Sequence, residues 1–301
     1  MIKVLITGVS GMLGKDLAEI FLQDKKYKVF GIARHRPNNL PDLNFIKLDL
    51  LNLSKLKTVL KRISPDIIIH SAAIVNLDRC DQHKAEARII HARAAKIFAA
   101  HRRLSTRLIY ISTDSVFDGR QGNYKETSKT RPLNYYAKTK RRGEEIVLKE
   151  SPNSLVIRTN IFGFHQIPGA SLAEWGLDNL FKKRAINGFV DVRFNPVYTK
   201  QLARVIKQIA DQEHFLPRIL NVGSGSFLSK YNFLIKLAEI FKQNKALITK
   251  SKISQSALAI ARPRNTTLNT VKLEKIFKQK LGLVDGLREF KKDFLEYKSK
   301  K

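Results

Sequence analysis

The stretch ITGVSGMLGKDL, residues 6–17, lies between a short apolar run and the first helical pattern of the chain. Its glycines, Gly8, Gly11 and Gly14, are spaced G-x-x-G-x-x-G. In a strand–loop–helix unit the first glycine permits a tight turn. The second lets backbone approach a pyrophosphate at the helix N-terminus, and the third lets the helix pack close to the sheet. The spacing carries this meaning only where a strand precedes it and a helix follows. KVLIT (3–7) supplies the strand. MLGKDLAEIFLQ (12–23), apolar at i, i+3 and i+4, supplies the helix. The stretch therefore predicts a dinucleotide phosphate loop.

The same alternation continues downstream. YKVFGIA (27–33), FIKL (45–48), DIIIH (66–70), RLIYIS (107–112) and SLVIRT (154–159) are continuous apolar runs, as expected for parallel strands covered on both faces. LSKLKTVLKRI and KAEARIIHARAAKIFAAHRR between them have helical periodicity. The predicted fold is α/β, a doubly wound parallel sheet of Rossmann type with a smaller C-terminal α/β substrate-binding part. The dinucleotide-binding domain is expected over 1–163, joined by a crossing segment near 186–223, and the substrate side mainly over 164–301. In that second part GFHQIPGASLAEWGLDNL reads as a loop becoming a helix, and NGFVDVRFNPVYT as a short strand and turn. Helices are expected near 199–212, 229–243 and 270–281, with a strand at RILNVG and a frayed end at YKSKK.

Composition sets bounds. Of 301 residues, 43% are hydrophobic and 27% charged, ordinary for a globular protein, and no apolar run has the length of a membrane-spanning helix. MIKVLITG is too short for a signal-peptide core and runs into glycine. Cys80 is the single cysteine, which excludes an intrachain disulfide and points to a reducing, cytoplasmic setting. The net charge of +30 favours anionic partners, but lysines alternate with apolar residues in FLIKLAEIFKQNK and TVKLEKIFKQK, as on a solvated helix face. No nucleic-acid module and no metal-ligand spacing is present. No specific nucleic-acid partner, no membrane and no metal are expected.

Two places bear on chemistry. At the end of the second strand, GIARHR has Arg34 and Arg36 and no carboxylate, which favours a 2′-phosphate and hence NADP(H) over NAD(H). For Arg36 an ordinary surface role is the alternative. Asp49, after the third strand, suits either adenine contact or helix capping. The second place is NYYAKTKRRGEE (134–145). A phenol titrates near pH 10, and a lysine cation one helical turn away lowers that value. Tyr136 and Lys140 have the i, i+4 spacing, whereas Tyr135 faces Thr139 and Lys138 faces Asn134. Ser112 and Thr113, at the end of the fifth strand, offer a hydroxyl where open α/β sheets bind ligands.

These segments carry a resemblance. ITGVSGMLG, SAA (71–73), STDSVFDG, PLNYYAKTKRRGE, VIRTNIFG, FNPVYTKQLA and RPRNTTLNTVKL resemble the extended short-chain dehydrogenase/reductases, and within them the dTDP-4-dehydrorhamnose reductase family, over nearly the whole chain. The resemblance implies Thr113 as hydroxyl partner, Tyr136 as acid and Lys140 as the residue that binds ribose and lowers the tyrosine pKa. It implies cofactor contacts from Gly8, Ser10, Gly11, Met12, Leu13, Arg34, Asp49, Leu50, Ser71, Ala72 and Ala73, as well as from Tyr136 and Lys140. It places the sugar nucleotide near Asp114, Ser115, Trp175 and Arg262. His165, Trp175, Phe194 and Arg262 suit substrate contact or packing and surface roles.

The chain departs from the family at Ser115, where tyrosine is typical, and in ARIIHARAAK, which replaces an asparagine-containing segment. Asp114 is followed by serine and not by the glutamate of the 4,6-dehydratases, and Cys80 lies outside the loop that holds the cysteine of the epimerising reductases. The expectation is NADPH-dependent reduction of a nucleotide-linked 4-keto-6-deoxy sugar by a homodimer. The alternatives are a non-catalytic NADP- or nucleotide-sugar-binding subunit, like the regulatory subunit of methionine adenosyltransferase, and a sugar-nucleotide epimerase or dehydratase.

Overall fold

The computed structural model describes every residue except 102–105, 166–170, 214–216, 256–258, 300 and 301. Strands β1 (Ile2–Thr7), β2 (Tyr27–Ala33), β3 (Asn44–Lys47), β4 (Ile67–His70), β5 (Arg107–Ile111) and β6 (Ser154–Thr159) join a seventh, Ile219–Val222, in one sheet. From the edge the order is seventh strand, β6, β5, β4, β1, β2, β3, with every pairing parallel. From β1 the chain proceeds to β2 on one side, and β4 lies on the other. The boundary between β1 and β4 is therefore the switch point of the sheet, the place where open α/β sheets bind ligands.

Both faces of the sheet are covered, which is why the strands read as unbroken apolar runs. On one face, α1 (Met12–Leu22) and the helix Thr199–Ala210 bury Leu17, Phe21, Leu202 and Ile206 against β1 and its neighbours. On the other, α2 (Leu53–Ile63) and the segment around Phe98 bury Leu56, Leu60 and Phe98. A third apolar cluster around Phe162, Leu177, Phe233 and Phe290 lies under three pairs of short strands. The crossing segment divides its elements: Ile186–Phe189 pairs with Ile248–Ser251, whereas Ile219–Val222 returns to the main sheet. Among the described residues no helix is long and apolar enough to cross a membrane.

The structure differs from expectation at two helices. The segment starting at Lys84 is not one helix: Lys84–Arg88 and Ala94–Ala99 are α-helical, and Ile89–Arg93 between them is a π turn. Its expected last residues, 102 and 103, lie outside the described residues, as does 166–170 of the loop before Leu172–Phe181. A helix not expected from the sequence runs over Leu283–Ser299, with Leu287 and Phe290 buried in the third cluster; of YKSKK, residues 297–299 belong to it, and 300 and 301 lie outside the described residues. Its apolar positions, 283, 287, 290 and 294, keep helical spacing but are diluted by charged neighbours.

One buried ion pair fixes the helix Tyr135–Glu150 against the sheet. Arg158 of β6 donates from Nη2 and Nε to the Glu144 carboxylate at 2.8 and 3.1 Å, and Ser112 Oγ donates to Glu144 Oε1 at 2.6 Å. Both charged side chains are almost fully buried. Removing one partner of such a pair strands the other charge without water, whereas replacing both with apolar groups is tolerated. Arg158→Met should therefore lower unfolding free energy by about 3–5 kcal/mol, and adding Glu144→Leu should restore most of it. Urea unfolding of the single and double variants measures this.

Candidate active site

The glycine loop is built as its spacing predicts. Gly8 has φ +76°, and a Cβ there would lie 2.9 Å from Ala72 Cα. A Cβ on Gly14 would lie 2.0 Å from the Gly8 carbonyl oxygen. Gly11 caps α1 without a side-chain hydrogen bond, and no acidic residue occupies the first turn. The free N–H groups of that turn, with Ser10 and Met12 partly exposed and Leu13 buried, form a cradle suited to a dinucleotide pyrophosphate. From the β4 side, Ser71 Oγ donates to the Thr7 carbonyl at 2.5 Å and the Ala72 N–H to Thr7 Oγ1 at 3.2 Å. The Ser71–Ala73 backbone thus abuts the loop.

At the end of β2, Arg36 donates to the Pro41 and Leu43 carbonyls and lies over the Phe45 ring. Arg34 is exposed, and its guanidinium has no partner among the described residues. Asp49 is exposed and accepts from the Leu51 N–H at 3.0 Å; Asn52, not Asp49, caps α2, and Leu50 is buried.

Tyr136 and Lys140 lie on the inner side of the Tyr135–Glu150 helix, which Asn134 caps by accepting from the Ala137 N–H. The Lys140 ammonium is carried under the end of β5, where it donates to the Ile111 carbonyl at 2.5 Å and lies 4.2 Å from the Tyr110 ring centre. Burial lowers its pKa to about 7, opposed by Glu144. Contrary to the lowering expected from Lys140, the Tyr136 phenol is raised well above its ordinary value: burial outweighs hydrogen bonding to Thr113, and the Lys140 ammonium is directed at the Ile111 carbonyl. Thr113, Tyr136 and Lys140 thus meet at the tip of β5. Tyr135 turns away, donating to the Lys84 carbonyl at 3.3 Å under the Lys84 ammonium.

Asp114 is fully engaged within the protein. Its carboxylate accepts from Thr113, Ser115, Asn160 and Thr266, so it pins the strap 262–267 to the tip of β5. That strap borders a cavity of about 520 Å³ whose wall includes Leu133, next to the cap of the Tyr136 helix, and Arg193, Arg262 and Arg264. Arg262 Nε is buried without a hydrogen-bond partner. Lys230, which sequence reasoning missed, has its pKa lowered by burial, with Arg262 and Asp114 nearby, and makes no side-chain bond among the described residues. Phe194 is a core residue against Phe233. His165 bonds Glu174 at 2.7 Å. Trp175 is exposed on the Leu172–Phe181 helix and is not part of the arginine-lined wall.

With its glycine loop after β1 and its Tyr-x-x-x-Lys helix packed on β5 and β6 of one parallel sheet, the chain has the architecture of the extended short-chain dehydrogenase/reductases. Within that class it belongs to the RmlD substrate binding domain family, whose model matches residues 2–294. It is 30% identical over 290 residues to a dTDP-4-dehydrorhamnose reductase of Aggregatibacter actinomycetemcomitans, covering 92% of this chain and 94% of that one. It is 29% identical to methionine adenosyltransferase 2 subunit beta of Danio rerio, covering 90% and 84% of the two chains. The crystal structure of a dTDP-4-dehydrorhamnose reductase from Bacillus anthracis in complex with NADP superposes with a TM-score of 0.83 at 25% identity, covering 98% and 100%.

Two fully buried histidines, His70 and His91, lie near Lys140. Burial, and next the Lys140 charge, hold both below the ordinary imidazole value, His70 at about 3. The unfolded chain takes up these protons near pH 6.5 and the folded chain does not, so stability is lost as pH falls. The slope is about 1.4 kcal/mol per pH unit per histidine. Asp16, raised to about 7 by burial, has the opposite sign between pH 7 and 4 and offsets one histidine. His70→Gln should therefore flatten the acid side of the stability curve by about 1.4 kcal/mol per pH unit. Urea midpoints at pH 6.5, 5.5 and 4.5 give both slopes.

Proposed function

We propose that this protein is an NADPH-dependent reductase of a nucleotide-linked 4-keto-6-deoxy sugar. The convergence of Thr113, Tyr136 and Lys140 beside the glycine loop carries this reading. In it, residues 1–163 with the crossing segment hold the cofactor, and 164–301 shape the substrate side. A nicotinamide cofactor held there would supply the hydride for the sugar carbonyl. Thr113 would turn its hydroxyl from Asp114 to the carbonyl oxygen, and Tyr136 would give its proton to the developing alkoxide. A phenol raised by burial keeps that proton at neutral pH, and the Lys140 cation stabilises the phenolate left behind. Arg34, exposed and unpaired, would meet a 2′-phosphate. Arg193, Arg262 and Arg264, with Lys230 behind them, would meet the diphosphate of the sugar nucleotide.

The similarity to a methionine adenosyltransferase subunit supports a second reading, that of a binding subunit without turnover. The two part on one assay, oxidation of NADPH with a panel of 4-keto-6-deoxy nucleotide sugars: turnover supports the reductase, and binding without turnover supports the subunit. In the reductase, Tyr136→Phe should leave NADPH affinity intact and lower turnover by about 10²–10⁴, whereas Tyr135→Phe should cost far less. A dead Tyr135→Phe beside an active Tyr136→Phe would show that the wrong pair has been assigned. Arg34→Asp should weaken NADPH binding and improve relative use of NADH. Equal affinity of the unaltered protein for the two cofactors would remove Arg34 from that role.

A further inference from the structure

The proposed chemistry makes no use of His91, yet that ring bridges the two halves of the site. It sits in the π turn Ile89–Arg93, a local widening that diverts carbonyls from the regular i→i+4 ladder. Two carbonyls of the turn are taken by side chains. The Ile90 carbonyl accepts from His70 Nε2 at 3.0 Å, and the His91 carbonyl accepts from the Tyr110 hydroxyl at 2.9 Å. The turn is thereby locked to β4 and β5, and its one imidazole is aimed inward.

The tautomer of that imidazole follows from its partners. The Ile74 N–H donates to Nε2 at 3.0 Å, so Nε2 carries no proton. Nδ1 therefore carries it and donates to Thr139 Oγ1 at 2.8 Å, and Thr139 Oγ1 donates to the Tyr136 carbonyl at 2.8 Å. The ring also meets the Tyr136 ring edge-on, 5.6 Å between centres. Ile74 directly follows Ser71–Ala73, whose backbone abuts the glycine loop. One nitrogen thus holds the cofactor floor and the other holds the helix that carries Tyr136 and Lys140.

We propose that His91 is a positioning residue with two separable attachments, Nε2 setting the Ser71–Ile74 segment against the cofactor and Nδ1 setting the Tyr136 helix against the carbonyl. The turnover half of this rests on the reductase reading; the cofactor half does not.

The two attachments can be cut singly. A glutamine amide reaches the place of Nε2, and an asparagine amide reaches the place of Nδ1. His91→Gln should keep NADPH affinity within about threefold and lower turnover at saturating cofactor by roughly tenfold or more, since small misplacements of reacting groups are costly. His91→Asn should do the reverse, weakening NADPH by roughly tenfold, the worth of one hydrogen bond, with turnover at saturation nearly kept. Thr139→Val, which leaves the histidine in place, should reproduce the His91→Gln result and covers the case in which a His91 variant fails to fold.

Fluorescence titration with NADPH, turnover and melting temperature are measured for each variant. Should the unaltered protein bind NADPH without turnover, amide exchange over 136–140 in the NADPH-bound protein replaces the turnover readout, and exchange over 71–76 reports the other attachment. A crossed pattern supports the proposal. Parallel loss of both properties in step with melting temperature, or no change in either, overturns it.

Discussion

The site depends on an ammonium group kept out of water. Lys140 is 2% exposed, and its charge is matched not by a contacting carboxylate but by the Ile111 carbonyl and the Tyr110 ring face. A cation so placed dictates what can surround it. The two histidines nearby must stay neutral, which fixes one proton on each ring and makes both dependable hydrogen-bond partners. Glu144 favours the charge from one turn further along the helix, and Glu144 is itself buried, so Arg158 and Ser112 are needed to hold it. The same demand that brings the lysine under the end of β5 thus reaches through Arg158 to β6 and to the Glu126 carbonyl beyond.

Much of this was legible in the sequence where local chemistry dictates local shape. A glycine at φ +76° facing Ala72 across a 2.9 Å gap admits no side chain, so Gly8 declares the turn by itself. Buried parallel strands write unbroken apolar runs, and β2 and β6 have the limits their residues suggest. The i, i+4 rule separated Tyr136 from Tyr135 because a helix turns about 100° per residue. The sequence was silent where meaning lies in long-range company. Asp114 looks like any loop aspartate until Asn160 and Thr266 arrive from 46 and 152 residues away. His91 was not singled out within ARIIHARAAK, since helical periodicity cannot distinguish a π turn from an α turn over five residues. The Leu283–Ser299 helix escaped because its charged residues outnumber its apolar stripe.

The charge of the chain shows the same division between amount and place. A surplus of +30 summed over the surface says little about partners, because solvated lysines are screened and many sit beside a carboxylate one turn away, as Lys182 does with Asp178 and Lys236 with Glu239. The few cations around the arginine-lined cavity are different. Arg193, Arg262 and Arg264 have no carboxylate partner among the described residues, and the nearby acids are otherwise engaged: Asp118 accepts from Tyr124, Asp191 from the Ile253 N–H, and Asp114 from four donors. Lys230 brings a further charge that burial disfavours. Leaving such groups unpaired costs stability, and a site accepts that cost where an arriving anion offsets it. Electrostatic attraction in a concave, partly desolvated wall also exceeds what the same charges exert across open water. The arginines of that wall with no carboxylate partner, rather than the net charge of the whole chain, are what bear on an anionic ligand.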